Sequence, residues 1–254
     1  SQTVNFYTSD LFYFRLFSFR PIIYVDMRWV FQEPDKKLVE KLQSEFDTSA
    51  AIAVTMANRG ITSRDSSRDF FEPKLGQLHD PFIMKNMGQA VARILTNIQS
   101  GRPIMVFGDY DVDGTTAASI LYLSLTDFGG VVDTYIPHRE HEGYGLSNKG
   151  IDFAAEQNID LIITCDCGIN AFEQVDYARE RSIDVIITDH HIPDKRLPAA
   201  VAIVNPNQSD CDYPFKGLCG AGVAFKLACG VGIKLNWSMT DLFSLLDLAT
   251  LGTS

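Results

Sequence analysis

The segment from Ile104 to Gly114 reads IMVFGDYDVDG, a short apolar run that ends in three aspartates. The pattern recurs as LIITCDCG from Leu161 to Gly168 and as VIITDHH from Val185 to His191. Apolar runs that alternate with helical patterns predict strands of a parallel sheet covered by helices on both faces. The carboxyl ends of such strands share one edge, where ligands bind. The sequence therefore predicts an α/β fold with carboxylates and imidazoles gathered at that edge.

The same patterns predict the order of the elements. We expect strands near 103–108, 131–136, 160–165, 183–188 and 200–204, and helices near 115–127, 147–157, 170–181, 219–234 and 240–251. Apolar side chains recur at helical spacing in residues 35–100, and a capping box at 62–65 predicts the start of a short helix there. We therefore expect a helical N-terminal region at 27–100 and an α/β domain at 101–254.

Residues 1–26 differ from the rest because they are rich in aromatic side chains but interrupted by Asp10, Arg15 and Arg20. A transmembrane helix needs about 20 consecutive, mostly apolar residues, and no cleavage site of a secretory signal follows. We expect residues 1–26 to be a non-native or mis-annotated extension that precedes a natural start at Met27. A membrane anchor is the alternative.

The net charge and the cysteine content limit the functions and locations that the sequence predicts. The net charge of −10 over 254 residues argues against this segment holding nucleic acid by itself, because phosphate contacts need clustered Lys and Arg. The five cysteines, an odd number without a secretory signal, predict a reducing, cytoplasmic location. Structural zinc sites usually use cysteines separated by two to four residues, so the single residue between Cys165 and Cys167 argues against zinc.

The three aspartates at 109, 111 and 113 match the opening of an EF-hand loop, but Ile120 stands where that loop needs glutamate, and a strand precedes it. A polar turn is the simpler alternative, although three neighbouring carboxylates repel one another unless a cation neutralises them. Asp166 alone could be a helix cap, and the pair His190-His191 could be a surface turn. Their shared sheet edge predicts a site for hard divalent cations.

Two glycine-containing segments leave their alternatives open. Arg139, Gly143 and Gly145 follow the second strand and suit either a phosphate-binding loop or an ordinary flexible one. Gly217-x-x-Gly220-x-Gly222 precedes a helix, where it could bind phosphate or allow close packing on the sheet. The sequence has no nucleotide-binding GxxxxGK[ST], no HExxH and no GxSxG motif.

Taken together, these motifs resemble the DHH phosphoesterase superfamily and, within it, the RecJ single-strand-specific exonucleases. The resemblance runs from about Met27 to the last residue, and Asp189-His190-His191 is similar to the motif that names the superfamily. Phe107 stands where the pyrophosphatase and cyclic-dinucleotide branches carry histidine. The resemblance implies two Mn²⁺ or Mg²⁺ ions and a set of site residues: Asp111 and Asp113 on one ion each, Asp166 bridging, His190 ligating, His191 facing the scissile phosphate, Asp109 as a less certain ligand, and Arg139, Gly143 and Gly145 on phosphate or nucleic acid.

The activity that the resemblance implies is 5′→3′ hydrolysis of single-stranded DNA in recombination and repair, with no role for a membrane. Single-stranded DNA, a single-strand-binding protein and a repair helicase are the implied partners. The alternatives are a DHH hydrolase of short oligonucleotides or nucleoside bisphosphates, and an inactive DHH scaffold. RecJ-like chains carry another metal-binding aspartate after Leu-Gly-Thr, whereas this sequence ends at Ser254. We therefore expect a fragment that is nearly inactive alone.

Overall fold

The computed structural model describes residues 30–254. The expectations for residues 1–26 lie outside these residues. The chain divides into two compact units between Leu75 and Gly76. The predicted junction near residues 100 and 101 stays a prediction about domain organisation.

The first unit is helical where it is described. It contains α1 (Lys36–Phe46), α2 (Ala50–Asn58) and α3 (Arg64–Phe71). Ser63 caps α3 in a capping box with Ser66, which satisfies backbone N–H groups that the first turn of a helix leaves free. The helices bury a small apolar core formed by Leu42, Ala53, Met56 and Ile61.

The second unit alternates strands and helices. Its strands are β1 (Ile104–Gly108), β2 (Val132–Tyr135), β3 (Leu161–Cys165), β4 (Asp184–Thr188) and β5 (Ala202–Val204). Its α-helices are α4 (Met87–Ser100), α5 (Val112–Asp127), α6 (Asn148–Glu156), α7 (Phe172–Glu180), α8 (Gly220–Lys234), α9 (Met239–Phe243) and α10 (Leu246–Thr253). Short 3₁₀ turns occur at Leu75–Gln77 and Pro81–Ile83.

All five strands are parallel and lie in the order β2-β1-β3-β4-β5. The predicted fold class, a Rossmann-like parallel sheet with helices on both faces, is confirmed. The chain moves to one side of β1 to form β2 and then returns to the other side to form β3. This reversal is a topological switch point, and it opens a crevice at the carboxyl ends of β1 and β3.

Each face of the sheet has its own core, as the alternation of β1 shows. Ile104 and Val106 pack into the core beneath α4, α5 and α8. Met105 and Phe107 point to the opposite face and join the core under α6 and α7. All four side chains are fully buried. Because β1 is buried on both faces, its sequence is continuously apolar rather than alternating.

One predicted helix differs from the structure. The segment 240–251 was expected to be continuous, but it forms α9 and α10, with a break at Ser244 and Leu245. The backbone N–H of Ser244 bonds to the carbonyl of Asp241, and that of Leu245 to the carbonyl of Leu242, which closes α9 tightly. Among residues 30–254, no helix combines the length and the apolar character needed to cross a membrane.

Candidate metal centre

The turn after β1 carries the first aspartates of the site. Asp111 caps α5, since its Oδ1 accepts a hydrogen bond from the backbone N–H of Gly114 at 2.9 Å. Gly114 itself has no room for a side chain, because a Cβ there would lie 2.6 Å from both Cβ and the carbonyl oxygen of Asp109. The glycine therefore lets the helix begin directly over Asp109, whose side chain is buried.

Asp166, after β3, is the most constrained carboxylate of the site. Its backbone has a positive φ of 61°, a left-handed conformation that aspartate tolerates better than most residues. Its side chain is almost fully buried, and its Oδ1 lies against Nε2 of His190. Burial raises the pKa of Asp166 to about 6, although the neighbouring His190 acts in the opposite direction.

The predicted ligands converge in two overlapping groups. Single ligand atoms of Asp109, Asp111 and Asp166 lie within 4.8 Å of one another, and so do those of Asp166, His190 and His191. Asp166 belongs to both groups, and its Oδ1 lies 3.0 Å from Nε2 of His190. Within the described part of the chain, the buried Oδ1 of Asp109 has no hydrogen-bond partner. This arrangement offers two neighbouring positions for cations, with Asp166 between them.

Asp113 is near these groups but belongs to neither. Its carboxylate accepts hydrogen bonds from the backbone N–H groups of Gly220 and Ala221 at 2.7 and 2.6 Å. These N–H groups form the start of α8, where the helix dipole favours a negative charge. Nε2 of His190 lies 3.6 Å from Asp113 Oδ2, so the carboxylate still borders the second group.

Close backbone approach explains the glycines at the start of α8 and the end of α10. A Cβ at Gly220 would lie 2.5 Å from Cβ of Asp166, so only glycine lets α8 touch both Asp113 and Asp166. At Gly252 a Cβ would lie 2.4 Å from Oγ1 of Thr116 and 3.2 Å from Oδ1 of Asp113. The sequence left two roles open for the glycine segment at 217–222, phosphate binding and close packing. The structure supports close packing, since Gly220 packs directly on the site.

Asp189 holds His191 rather than joining either cation group. Its Oδ1 accepts hydrogen bonds from the backbone N–H groups of His190 and His191 and lies 2.7 Å from Nδ1 of His191. Its Oδ2 accepts a further bond from the N–H of Ile169. Despite burial, which acts in the opposite direction, these bonds lower the pKa of Asp189. The hydrogen bond to Asp189 raises the pKa of His191 to about 8.

The ionised Asp189 fixes the proton of His191 on Nδ1 and leaves Nε2 for another partner. Nε2 of His191 lies 3.5 Å from the hydroxyl of Tyr144, which donates a hydrogen bond to the backbone oxygen of Asp166 at 2.9 Å. Tyr144 therefore links the loop after β2 to the turn after β3. The sequence alone indicates no role for Tyr144 or Asp189, although both lie within the motifs.

Two asparagines that follow β5 hold the backbone of the two histidines by hydrogen bonds. The side-chain amide of Asn205 donates a hydrogen bond to the carbonyl of His191 at 2.9 Å, and that of Asn207 donates to the carbonyl of His190. Asn205 is fully buried. Sequence reasoning missed both residues. The only signal was their position after the fifth predicted strand, at the same sheet edge.

The predicted phosphate-binding residues lie on the loop after β2. Gly143 and Gly145 have φ values of 82° and 80°, which favour glycine. The guanidinium carbon of Arg139 lies 5.3 Å from the ring centroid of Tyr110. Glu142 shapes the loop, since it accepts hydrogen bonds from the N–H of His138 and from the hydroxyls of Tyr135 and Ser147. A role for Arg139, Gly143 and Gly145 in binding phosphate stays a prediction.

The fold and the site together define a doubly wound α/β protein with a carboxylate–histidine centre at its switch point. Residues 103–253 match the family described as "DHH family, N-terminal domain". The chain belongs to the DHH family.

Its relatives carry the name RecJ. Over 227 residues the chain is 42% identical to the single-stranded-DNA-specific exonuclease RecJ of Bacillus subtilis, a match that covers 89% of this chain and 28% of the relative. It is similar to a crystal structure of exonuclease RecJ bound to manganese, with a TM-score of 0.62, 36% identity and coverage of 67% and 43%. RecJ from Thermus thermophilus in complex with Mn²⁺ gives a TM-score of 0.66, 28% identity and coverage of 87% and 30%.

The chain spans only part of the length of these relatives. It covers 28% of the Bacillus subtilis protein and 31% of the RecJ of Escherichia coli, to which it is 39% identical over 180 residues.

Proposed function

We propose that this chain carries the catalytic site of a metal-dependent exonuclease that hydrolyses phosphodiester bonds of single-stranded DNA from the 5′ end, in recombination and repair. The observation that supports this proposal most strongly is the position of Asp166. This residue is buried at the switch point of the sheet, and it belongs to both groups of ligand atoms. Its relatives of known name are single-stranded-DNA-specific exonucleases, which supports the choice of substrate.

The residues present fit two hard divalent cations. The Oδ1 of Asp109 is buried and has no hydrogen-bond partner among the described residues, as expected of an atom whose partner is a cation. Carboxylate oxygens with one imidazole suit Mn²⁺ or Mg²⁺, and related RecJ structures are named as complexes with each of these ions. When bound, such a pair of ions lowers the pKa of water and stabilises charge on a phosphoryl group in transition.

Different residues of this chain would hold the two cations. Asp111 and Asp113 would each hold one cation, with Asp166 between them and His190 on the second position. Asp109 would complete the first group, in which its ligand atom already lies. The start of α8 would keep Asp113 oriented through two N–H groups. The assignments of Asp109, Asp111, Asp166 and His190 rest on the proximity of the ligand atoms and on the DHH motifs, and that of Asp113 rests on the motifs.

His191 would serve the substrate rather than a cation. Asp189 holds a proton on Nδ1 and keeps the ring fixed, so Nε2 can meet a phosphate oxygen or carry a proton to it. Arg139 would contribute positive charge beside the ring of Tyr110 for the phosphate backbone. A single-strand-binding protein and a repair helicase, acting with the enzyme in the cytoplasm, are the partners that we propose from the resemblance.

Substrate choice tests this proposal. The complete gene product, supplied with Mn²⁺, is compared on a long single strand labelled at its 5′ end, on blunt duplex DNA, on dinucleotides and on pyrophosphate. We expect digestion of the single strand from the 5′ end and sparing of the duplex. Faster hydrolysis of dinucleotides or pyrophosphate would show a different DHH hydrolase, and no hydrolysis of any substrate would favour an inactive scaffold.

A further inference from the structure

A cavity of about 270 Å³ lies beside His191, and neither Asp113 nor α8 is among its lining residues. It is bounded by the loop after β2 and by the turn that joins β3 to α7. Its walls include Tyr144, Leu146, Ile169, Asn170, Gln174 and His191. The roles proposed above for the metal centre do not use Asn170 or Gln174.

The charge of the walls excludes an anion as the natural occupant. The lining residues include no Lys or Arg. The one carboxylate in the wall, Asp189, is already satisfied by three backbone N–H groups and by the ring of His191. His191 is the one lining side chain that can carry a positive charge, and its pairing with Asp189 balances that charge. The walls therefore have no net positive charge to hold a phosphate inside the cavity, whereas a neutral group would meet no uncompensated charge.

The walls offer a flat apolar surface together with free amide groups. Leu146 and Ile169 are buried, and the ring of Tyr144 is fixed in place by its hydrogen bond to Asp166. The side chains of Asn170 and Gln174 make no hydrogen bond within the described residues, so both keep a donor and an acceptor available. Amides read base edges by such paired bonds, and aromatic rings stack on base faces.

We propose that this cavity receives a nucleobase of the DNA strand, with Gln174 and Asn170 at the edge of the base and Tyr144 along its face. The inference rests on the proposed function. Because Tyr144 touches both the backbone of Asp166 and the ring of His191, one side chain separates the cavity from the carboxylates. The bound base therefore belongs to the scissile nucleotide or to one directly beside it.

The test uses the complete gene product with Mn²⁺ and a set of single-stranded oligonucleotides. Each carries one abasic nucleotide, at the first, second, third or fourth position from the 5′ end, and an unmodified strand completes the set. The variants are Gln174→Ala and Asn170→Ala. Gln157→Ala is the matched control, because it truncates the same kind of amide on the exposed end of α6. Asn170 is exposed, so its truncation leaves the core intact.

On the unmodified strand we expect each pocket variant to raise KM about three- to tenfold, the effect of losing one or two hydrogen bonds to a neutral group. At one abasic position the wild type should lose at least this factor, and each variant, which has already lost one contact to the base, should lose less than the wild type does. Gln157→Ala should match the wild type throughout.

Two results would count against the inference in different ways. If the wild type digests the strand but the pocket variants match it, or their defect is the same on every abasic strand, the cavity binds no base. If the wild type does not act on single-stranded DNA, the proposed function fails and takes this inference with it.

Discussion

The two ends of the parallel sheet treat their carboxylates in opposite ways. At the amino end, Arg93 binds Asp184 at 2.6 Å and lies 3.6 Å from Asp160, which also pairs with Arg102. At the carboxyl end, Asp109, Asp111, Asp113 and Asp166 form no ion pair with Lys or Arg among the described residues. His190 lies near Asp113 and Asp166.

This difference shows where the sheet is made for stability and where it is made for binding. A buried carboxylate without a cationic partner destabilises the folded state, because its hydration is lost without compensation. The amino end avoids that cost with Arg93 on α4 and Arg102 in the turn before β1. At the carboxyl end the carboxylates have no arginine or lysine partner, which destabilises the folded state. A site for exchangeable cations requires such unpaired carboxylates.

The largest effect should come from Asp166→Asn. The variant removes the one charge that both ligand groups share, so we expect Mn²⁺ affinity, measured by calorimetry, to fall by more than about 100-fold. Asp109→Asn, which touches one group only, should lose less. Equal losses in the two variants would show that Asp166 does not hold a shared position.

Asp166→Asn should also stabilise the protein when EDTA removes metal. Since burial raises the pKa of Asp166 from 3.8 to about 6, the unfolded chain ionises first as pH rises. The wild type therefore loses stability relative to the variant between about pH 4 and 6, by about 1–3 kcal/mol in total. Urea unfolding across this range measures the difference. A constant difference would mean that the carboxyl group is not destabilised by burial.

The next largest effect should come from Gly220→Ala. Its Cβ would press on Asp166 and shift the N–H groups that hold Asp113. We expect Mn²⁺ affinity to fall about 10- to 100-fold, as happens when the support of a ligand is disturbed. Gly222→Ala is the control on the same helix, because its Cβ would meet only the end of the Leu218 side chain closely, at 3.0 Å. Equal effects would point to general damage of α8.

Asp189→Asn should change His191 more than it changes the cations. Without the carboxylate, the pKa of His191 should fall from about 8 toward its usual 6.5, which NMR titration of the ring can follow. The rate of strand hydrolysis should fall about 10- to 100-fold, while Mn²⁺ affinity changes by less than about tenfold. An unchanged pKa of His191 would show that Asp189 does not control the ring.

The smallest effect on the site should come from Arg93→Met, at the opposite end of the sheet. Loss of the pairs with Asp160 and Asp184 should lower the free energy of unfolding by about 1–3 kcal/mol, measured in urea. Mn²⁺ affinity should stay within twofold of the wild type. A loss of affinity would mean that the two ends of the sheet are coupled, against the comparison drawn above.

The pattern of apolar residues along the sequence was enough to predict the strands and the edge of the sheet at which the candidate site lies. Runs such as Leu161–Cys165 are apolar because both faces of the strand are buried, and that property is readable in the sequence. The break in the last predicted helix at Ser244 was not readable, because apolar periodicity continues across it.

The residues that hold the candidate ligands in place could not be predicted from local sequence patterns either. The start of α8 binds Asp113 across a long sequence separation, and Asn205 reaches back from β5 to His191. Such contacts depend on how the sheet brings strand ends together, which no periodicity encodes. The packing role of Gly220 follows from the same juxtaposition and from nothing in its neighbouring residues.

The strand order also sets when the site can first exist. Its groups come from the ends of β1, β3 and β4, and parallel neighbours must be joined by crossover helices before they pair. A chain emerging from the ribosome at about 5–20 residues per second holds Asp111 and Asp113 long before it holds His190. Until β4 has been made and paired, the growing chain has no complete centre. Any activity that needs the complete centre is thereby withheld from the unfinished protein.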